Sequence, residues 1–486
     1  MVFSSPIFLF VFLPVVLLGS VLPTQRLRNL WLLAFSLIFY AWGEVAFVFL
    51  TLASTLVNYF LGRWIDRELD ARRRKWAVGL AIGLNVGLLA FFKYANFAVD
   101  NLNWLLACAG VAPVHLSPVR LPIGISFFTF HALSYVIDIY RRKWASARNP
   151  ADVALYIFFF PQLIAGPILR WNAIAPQIAV RTQTAERFAQ GIRRFVGGLA
   201  KKVLIANVVA VPADEIFKMS GGGQDLRPAL ACLGAVCYML QIYFDFSGYS
   251  DMAVGLGKMF GFEFMENFNY PYIAQSIREF WRRWHISLSS WFRDYLYIPL
   301  GGNRCSETRQ HFNLLMVFFL CGLWHGASWT FVIWGLFHGF FIVLEHAGLG
   351  RILEKTWSPV RHVYVLLVVL AGWVIFRAPT FFSAIAFLGN MAGITTSAAV
   401  VARPVRSFLT HQATCSLAAG LILSTPVWPW LKQWGARMFA TLPDPLASLA
   451  HITAAVVQLV AIAALLIISA AWLAGGTYNP FIYFRF

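Results

Sequence analysis

The chain has 486 residues, of which 59% are hydrophobic and 12% charged, with a formal net charge of +18. Soluble domains carry about 25% charged residues, so half that share over this length excludes a soluble domain and reads as a polytopic membrane protein. The positive balance does not point to nucleic acid, because the basic residues fall in short loops between apolar runs, where the positive-inside rule accounts for them.

The first run, "MVFSSPIFLFVFLPVVLLGS", has no basic n-region and no convincing small-residue cleavage site. It reads as a retained first helix, not a signal peptide. A spanning helix needs roughly 20 apolar residues. Candidate spans lie at 6–22, 29–43, 45–62, 76–93, 121–139, 152–168, 203–217, 228–245, 312–326, 329–346, 363–376, 408–428 and 453–474, and the shortest suit re-entrant segments. The loop "RWIDRELDARRRK" (63–75) is the strongest cytoplasmic signal. It sets the N-terminus outside, Arg26 and Arg28 inside, Glu44 outside and "RRK" (141–143) inside.

The clusters Arg193/Arg194, Lys201/Lys202 and Arg278/Arg282/Arg283 are basic too. If all are cytoplasmic, "YIFFFPQLIAGPI" (156–168), with Pro161, Gly166 and Pro167, is a broken re-entrant segment. The six Cys form no CxxC pair and no metal spacing, so they are expected reduced, with no disulfide framework and no metal. No repeat or long linker divides the chain, which is expected to be one membrane domain over 1–486, with a core at about 121–346 and C-terminal helices at about 350–486.

The stretch "FWRRWHISLSSWFRDYLYIPLGG" (280–302) is unusually rich in ionisable groups. On a helical wheel of ~100° per residue, Trp281, Trp284, Leu288, Trp291, Phe292 and Tyr295 share one arc. Arg282, His285, Ser289 and Arg293 form a polar stripe beside it, widened by Arg283, Ser287, Ser290 and Asp294. Such a helix lies in the interface or lines a wet cavity. One reading is a cytoplasmic surface helix anchored by Trp and Arg. The other is a vestibule for a phosphate-bearing ligand, which the planar guanidinium suits.

The run "FNLLMVFFLCGLWHGASW" (312–329) places His325 well past the membrane midplane, at a small-residue break between two helices. An ionisable residue there is a functional candidate, against the plainer reading of a core histidine. His131 and His338 sit in unbroken apolar runs and read as core. Asp245, Ser247, Ser250 and Asp251, and Ser126, Thr129 and Asp138, are polar groups in apolar context. Membrane carboxylates pair, and Arg282 or Arg293 are candidate partners.

Several blocks together resemble the membrane-bound O-acyltransferase (MBOAT) family, and within it the bacterial branch around the alginate O-acetylation protein. They are "LPIGISFFTF" (121–130), "SYVIDIYR" (134–141), "FFPQLIAGPI" (159–168), "FDFSGYSDMAVGLGKMFGF" (244–262), "NFNYPY" (267–272), "EFWRRWHISLSSWFRDYLYIPLGGNR" (279–304), "GLWHGASW" (322–329) and "NPFIYFRF" (479–486). The resemblance covers nearly the whole chain. It implies an all-α fold, a ring of about 11 transmembrane helices plus re-entrant and interfacial helices around a central tunnel. The His of the "WHG" block, His325, is then catalytic, and His285 is the second functional position. The 280–302 stretch becomes the cytoplasmic lip of a donor tunnel. Arg282, Arg283, Trp284, Ser289, Arg293, Asp294, Trp324, Ser328, Asp245, Ser247 and Asp251 are its candidate lining. His131 stands where relatives carry Gln, so donor preference would differ if it lined the tunnel.

What the resemblance implies is an O-acetyltransferase of the bacterial inner membrane, passing acetyl from a cytoplasmic thioester such as acetyl-CoA towards an exported polysaccharide such as alginate. His325 would be the general base, since free imidazole titrates at about 6.5. His285 would orient it, hydrogen-bond the thioester carbonyl or stabilise the tetrahedral centre. The expected partners are the bilayer, the exopolysaccharide machinery and a periplasmic or membrane-tethered acetyltransferase with a serine-hydrolase-like site. The alternatives are D-alanyl transfer to teichoic acids, within the same family, and a polytopic transporter.

Overall fold

The structure is a computed structural model that describes residues 1–164, 166–394, 403–476 and 478–480. The described residues are helical with no strands. The "FIYFRF" ending read above lies outside the described residues. Among the described residues, seven helices are long and apolar enough to cross a membrane. We label the principal helices α1 (Gln25–Ala41), α2 (Val45–Arg67), α3 (Ala71–Cys108), α4 (Ile125–Tyr140), α5 (Ala185–Gly221), α6 (Pro228–Met259), α7 (Ile277–Arg283), α8 (Ile286–Phe292), α9 (Glu307–His325), α10 (Trp329–Lys355), α11 (Ser358–Arg377), α12 (Phe381–Met391), α13 (His411–Leu423), α14 (Val427–Phe439) and α15 (Asp444–Ala474). The pair α13 and α14, bent by 65°, makes an eighth span if taken as one. Shorter apolar helices at Phe8–Val21, α4 and α12 supplement these spans.

Helix α6 is buried along most of its length and α5 over its most apolar stretch, while α15 is exposed almost throughout and so faces lipid. Close packing of α5 on α6 needs residues without a Cβ. A Cβ on Gly248 would meet the Gly198 carbonyl oxygen at 2.7 Å, and one on Gly255 would meet the Gly191 carbonyl oxygen at 2.7 Å. Small residues at seven-residue spacing therefore set the helix separation, as is common where lipid supplies no hydrophobic drive for helix association.

Four sequence expectations are revised. The span drawn at 76–93 is part of α3, a helix of 38 residues and about 57 Å. The span drawn at 203–217 belongs to the longer α5. Residues 280–302 are not one helix: α7 stops at Arg283, α8 starts at Ile286, and His285 between them has φ 43°. The 408–428 run bends between α13 and α14.

The described residues of 156–168 are broken between short helices at Pro150–Phe158 and Phe160–Leu163, and are buried. Their irregular backbone is satisfied by protein: Gln162 donates to the Tyr156 carbonyl, and the Phe160 N–H to Ser36 at 3.2 Å. That is the condition under which such backbone survives at membrane depth.

The basic loops gather at one end. Arg142 contacts Asp66 at 3.4 Å, and Arg141 donates to the Asp294 carbonyl at 2.9 Å. Loop 63–75, the 141–143 cluster and the helical segment starting at Arg293 therefore share a face.

Candidate functional site

His325 is the last residue of α9. The chain extends at Gly326 and re-enters a helix at Trp329, so α9 and α10 form a tight hairpin. The hairpin closes because Gly335 has no side chain: a Cβ there would stand 3.0 Å from the Cα of Gly322 and clash with the Phe318 carbonyl oxygen. The His325 ring packs on Trp324, Trp334 and Phe376, with centroids 4.7, 5.0 and 5.2 Å away.

The end of α9 is held from α3. Tyr94 donates to the Leu323 carbonyl at 2.7 Å. Lys93 donates to the Trp324 carbonyl, to the His325 carbonyl at 3.4 Å and to Ser126 at 3.3 Å. Those three acceptors use all three ammonium donors. A cation at a helix C-terminus also complements the partial negative charge of its open carbonyls.

Two cavities flank this helix end. The smaller, about 210 Å³, is lined by Lys93, Gly124, Ser126, Ile164, Trp324 and His325. The larger, about 480 Å³, is lined by Arg278, Arg282, Ser289, Arg293, Cys321 and His346, among others. Cys321 precedes His325 by four residues, one helical turn and about 6 Å of rise. The last turn of α9 is thus the partition between a basic cavity, on the face of the basic loops, and the cavity holding His325.

His285 is 1% exposed and lines neither cavity. Its ring centroid lies 6.1 Å from that of Trp324, so the indole touches both histidines. The left-handed backbone at His285 is costly for a residue with a Cβ, by ~1–2 kcal/mol. It is held by bonds from the Ile286 N–H to the Asn267 carbonyl at 2.9 Å and from the Ser287 N–H to the Asn267 side chain at 3.2 Å.

Of the candidate catalytic and tunnel-lining residues named from sequence, Arg282, Ser289 and Arg293 line the large cavity, and Trp324 and His325 the small one. The others lie elsewhere. Arg283 pairs with Glu279 at 2.8 Å. Trp284 packs on Trp373, with centroids 4.7 Å apart. Ser328 caps α10 through the Thr330 N–H at 3.4 Å. Asp294 is paired with Arg170 at 2.6 Å and with Arg293 at 2.7 Å. Burial alone would raise the Asp294 carboxyl, but the hydrogen bonds from Arg293 and Arg170 outweigh it and hold the carboxyl below its ordinary range.

The suggested carboxylate partners are corrected. Asp245 pairs with Lys202 at 2.6 Å, and Asp251 with Arg194 and Lys201, each at 2.7 Å. Asp138 accepts from Tyr295 at 2.8 Å. Asp245, Ser247 and Asp251 line neither cavity. His131 is fully buried against Tyr156 and lines neither cavity. Among the described residues no group of three His, Cys, Asp or Glu is placed to hold a metal.

Lys93 escaped the sequence reading because a span boundary was drawn at its charge. A lysine in the run "LLAFFKYANF" was the available signal. Lys93→Met leaves buried carbonyls without a donor, at ~1–3 kcal/mol, and frees the end of α9. The expected result is a folded protein whose activity falls on the order of 100-fold, the cost of a small misplacement of a functional group. Rate assays beside thermal melts of the purified variant check it.

A model of the MBOAT, membrane-bound O-acyltransferase family, matches residues 126–386. The chain is 50% identical over 381 residues to the "Probable alginate O-acetylase AlgI" of Azotobacter vinelandii, covering 78% of this chain and 75% of that one. Against the protein of the same name from Pseudomonas putida it is 43% identical over 509 residues, with 100% of both chains covered. Against the "Peptidoglycan O-acetyltransferase" of Helicobacter pylori it is 37% identical over 431 residues, covering 81% of this chain and 80% of that one.

Proposed function

Because this chain belongs to the membrane-bound O-acyltransferase family and is a multi-pass membrane acyltransferase, we propose that it moves acetyl from cytoplasmic acetyl-CoA towards an exported polysaccharide such as alginate. The membrane is the bacterial inner membrane, the N-terminus is periplasmic, and the chain acts as one membrane domain. The observation that carries the reading is the pair of cavities on either side of the last turn of α9: an arginine-lined one, and one holding His325. The names of the relatives above support acetyl as the group and a polysaccharide as its destination.

The phosphates of the donor rest against Arg278, Arg282 and Arg293, with the thioester reaching the partition. An acceptor hydroxyl enters the other cavity. His325 removes its proton as the oxygen attacks the thioester carbonyl. The tetrahedral intermediate then collapses, the carbon–sulfur bond breaks, and the coenzyme thiolate recovers the proton. Acetyl transfer from labelled acetyl-CoA by purified membranes tests this class of reaction against transport. Label that remains in intact acetyl-CoA in active membranes would reject it.

Arg282→Gln should raise the KM for acetyl-CoA about ten-fold, as loss of one charge-assisted phosphate contact does, with kcat little changed. Steady-state kinetics over a donor series check this split. Orientation is tested by cysteines introduced in loop 63–75. They should react only with reagents that enter the cytoplasm, and labelling from outside intact spheroplasts would invert the assignment.

The acceptor at the outer mouth is a separate periplasmic or membrane-tethered acetyltransferase with a serine-hydrolase-like site, working with the exopolysaccharide machinery. Helix α12 offers it a surface: Phe382 is 84% exposed and Ile385 51%, beside buried Ala384 and Phe387.

A further inference from the structure

Asn267 belongs to the "NFNYPY" run ahead of the histidine turn. It is 1% exposed and lines neither cavity. Its Oδ1 accepts from the Ser287 N–H at 3.2 Å and from the Ser287 hydroxyl at 2.9 Å, and lies 3.0 Å from His285 Nδ1. Its Nδ2 donates to Ser250 Oγ at 3.1 Å, and its carbonyl accepts from the Ile286 N–H at 2.9 Å.

The orientation of the amide follows from these bonds. A backbone N–H only donates, so the Asn267 atom facing Ser287 is the oxygen. The same oxygen faces His285 Nδ1, and an amide oxygen cannot donate. The Ser287 hydroxyl, 3.4 Å from Nδ1, gives its proton to Oδ1 in the shorter contact at 2.9 Å, so Nδ1 carries its own proton, and in a neutral imidazole Nε2 carries the lone pair.

We propose that Asn267 is a positioning residue that holds His285 in the Nδ1–H tautomer, which makes His285 a hydrogen-bond acceptor at the partition and not a donor to the thioester carbonyl. The kinetic consequence rests on the acetyl-transfer reading; the tautomer does not. A neutral His285 would need its proton on Nε2 to hydrogen-bond the thioester carbonyl or the oxyanion that follows it. In the Nδ1–H form its Nε2 orients an N–H that faces it. His325, whose ring shares the Trp324 indole with His285, is the donor this proposal assigns to it. With one His325 nitrogen donating to His285, the other is left to take the hydroxyl proton.

The substitutions separate this role from packing. Asn267→Leu removes the acceptor. Asn267→Asp keeps one, and the Ser250 hydroxyl turns to donate to it. The test uses the full chain in nanodiscs with isotope-labelled histidine, His285 being assigned by difference against His285→Ala. The nitrogen and carbon shifts of the ring should report Nδ1–H in the wild type and in Asn267→Asp, and lose it in Asn267→Leu.

In acetyl transfer, Asn267→Leu should lower kcat on the order of 100-fold with the KM for acetyl-CoA within about three-fold. Asn267→Asp should restore most of the rate, and Asn267→Leu in a His285→Ala background should cost nothing further. An Nε2–H signal in the wild type overturns the proposal. So does a folded Asn267→Leu variant of full activity, or additivity with His285→Ala. A wild-type Nδ1–H signal in a protein that transfers no acetyl would support the tautomer and strike the function reading alone.

Discussion

Replacing His325 by alanine is expected to abolish acetylation of the polymer while the protein reaches the membrane at its normal level. The ring packs in a cluster of Trp324, Trp334 and Phe376, so truncation leaves a void but removes no hydrogen bond that holds α9. The carbonyls of the last turn keep their donors from Lys93 and Tyr94. On the proposed mechanism the variant loses the nitrogen that removes the hydroxyl proton, and a positioned general base contributes ~10²–10⁴-fold. His285→Ala should also lose most activity. The double variant should be little slower than His325→Ala, because groups that act as a unit are not additive. Polymer acetyl content and immunoblots of membrane fractions check both. Substantial acetylation by a well-inserted His325→Ala variant removes the residue from the mechanism.

Gly335→Leu is expected to be as damaging for a different reason. Gly335 and Gly322 bring α9 and α10 within backbone contact, and even a Cβ at 335 would clash with the Phe318 carbonyl oxygen. A backbone oxygen in a helix cannot swing aside as a side chain can, so the hairpin must open and carry His325 with it. Overpacking in tight cores costs ~1–3 kcal/mol for added methylenes, and a clash with backbone lies at or above the top of that range. The variant should show a large loss of folded protein, read by thermal melting in detergent and by membrane abundance. Gly83→Ala is the control, because a Cβ there meets nothing within 4 Å; it should be neutral. A Gly335→Leu protein that melts like the wild type would contradict the packing argument.

The all-helical membrane class and the break at His325 were legible because both are written locally. Apolar runs mark helices, and "GAS" after "LWH" marks the end of one. The turn at His285 was not, because a wheel assumes uninterrupted helix and no periodicity reports a positive φ. The same wheel put Trp284 and Arg283 beside Arg282, whereas the break sends Trp284 into the core against Trp373 and Arg283 to Glu279.

Asp245 and Asp251 were read as tunnel groups because their neighbours in space are not their neighbours in the chain. Their partners Lys202, Arg194 and Lys201 sit on α5, and only the glycine-mediated approach of α5 to α6 brings them together. Lys93 was hidden by a boundary rule that ends a span at a charge. Asn267 carried no signal of its own: a polar residue in a loop motif gains a role only once the His285 turn is in place.

The central claim is that acetyl leaves a donor on the side of the basic cavity and emerges where His325 can pass it on. Proteoliposomes test this most directly. The purified chain is reconstituted with acetyl-CoA labelled in the acetyl group inside, and with polysaccharide outside, with or without the proposed acetyltransferase partner. Labelled polymer should appear outside only with the wild-type chain and the partner together, and not with His325→Ala. Labelled polymer without a second protein would end the partner assignment. Equal labelling by His325→Ala, or none with wild type and partner together, would contradict the account.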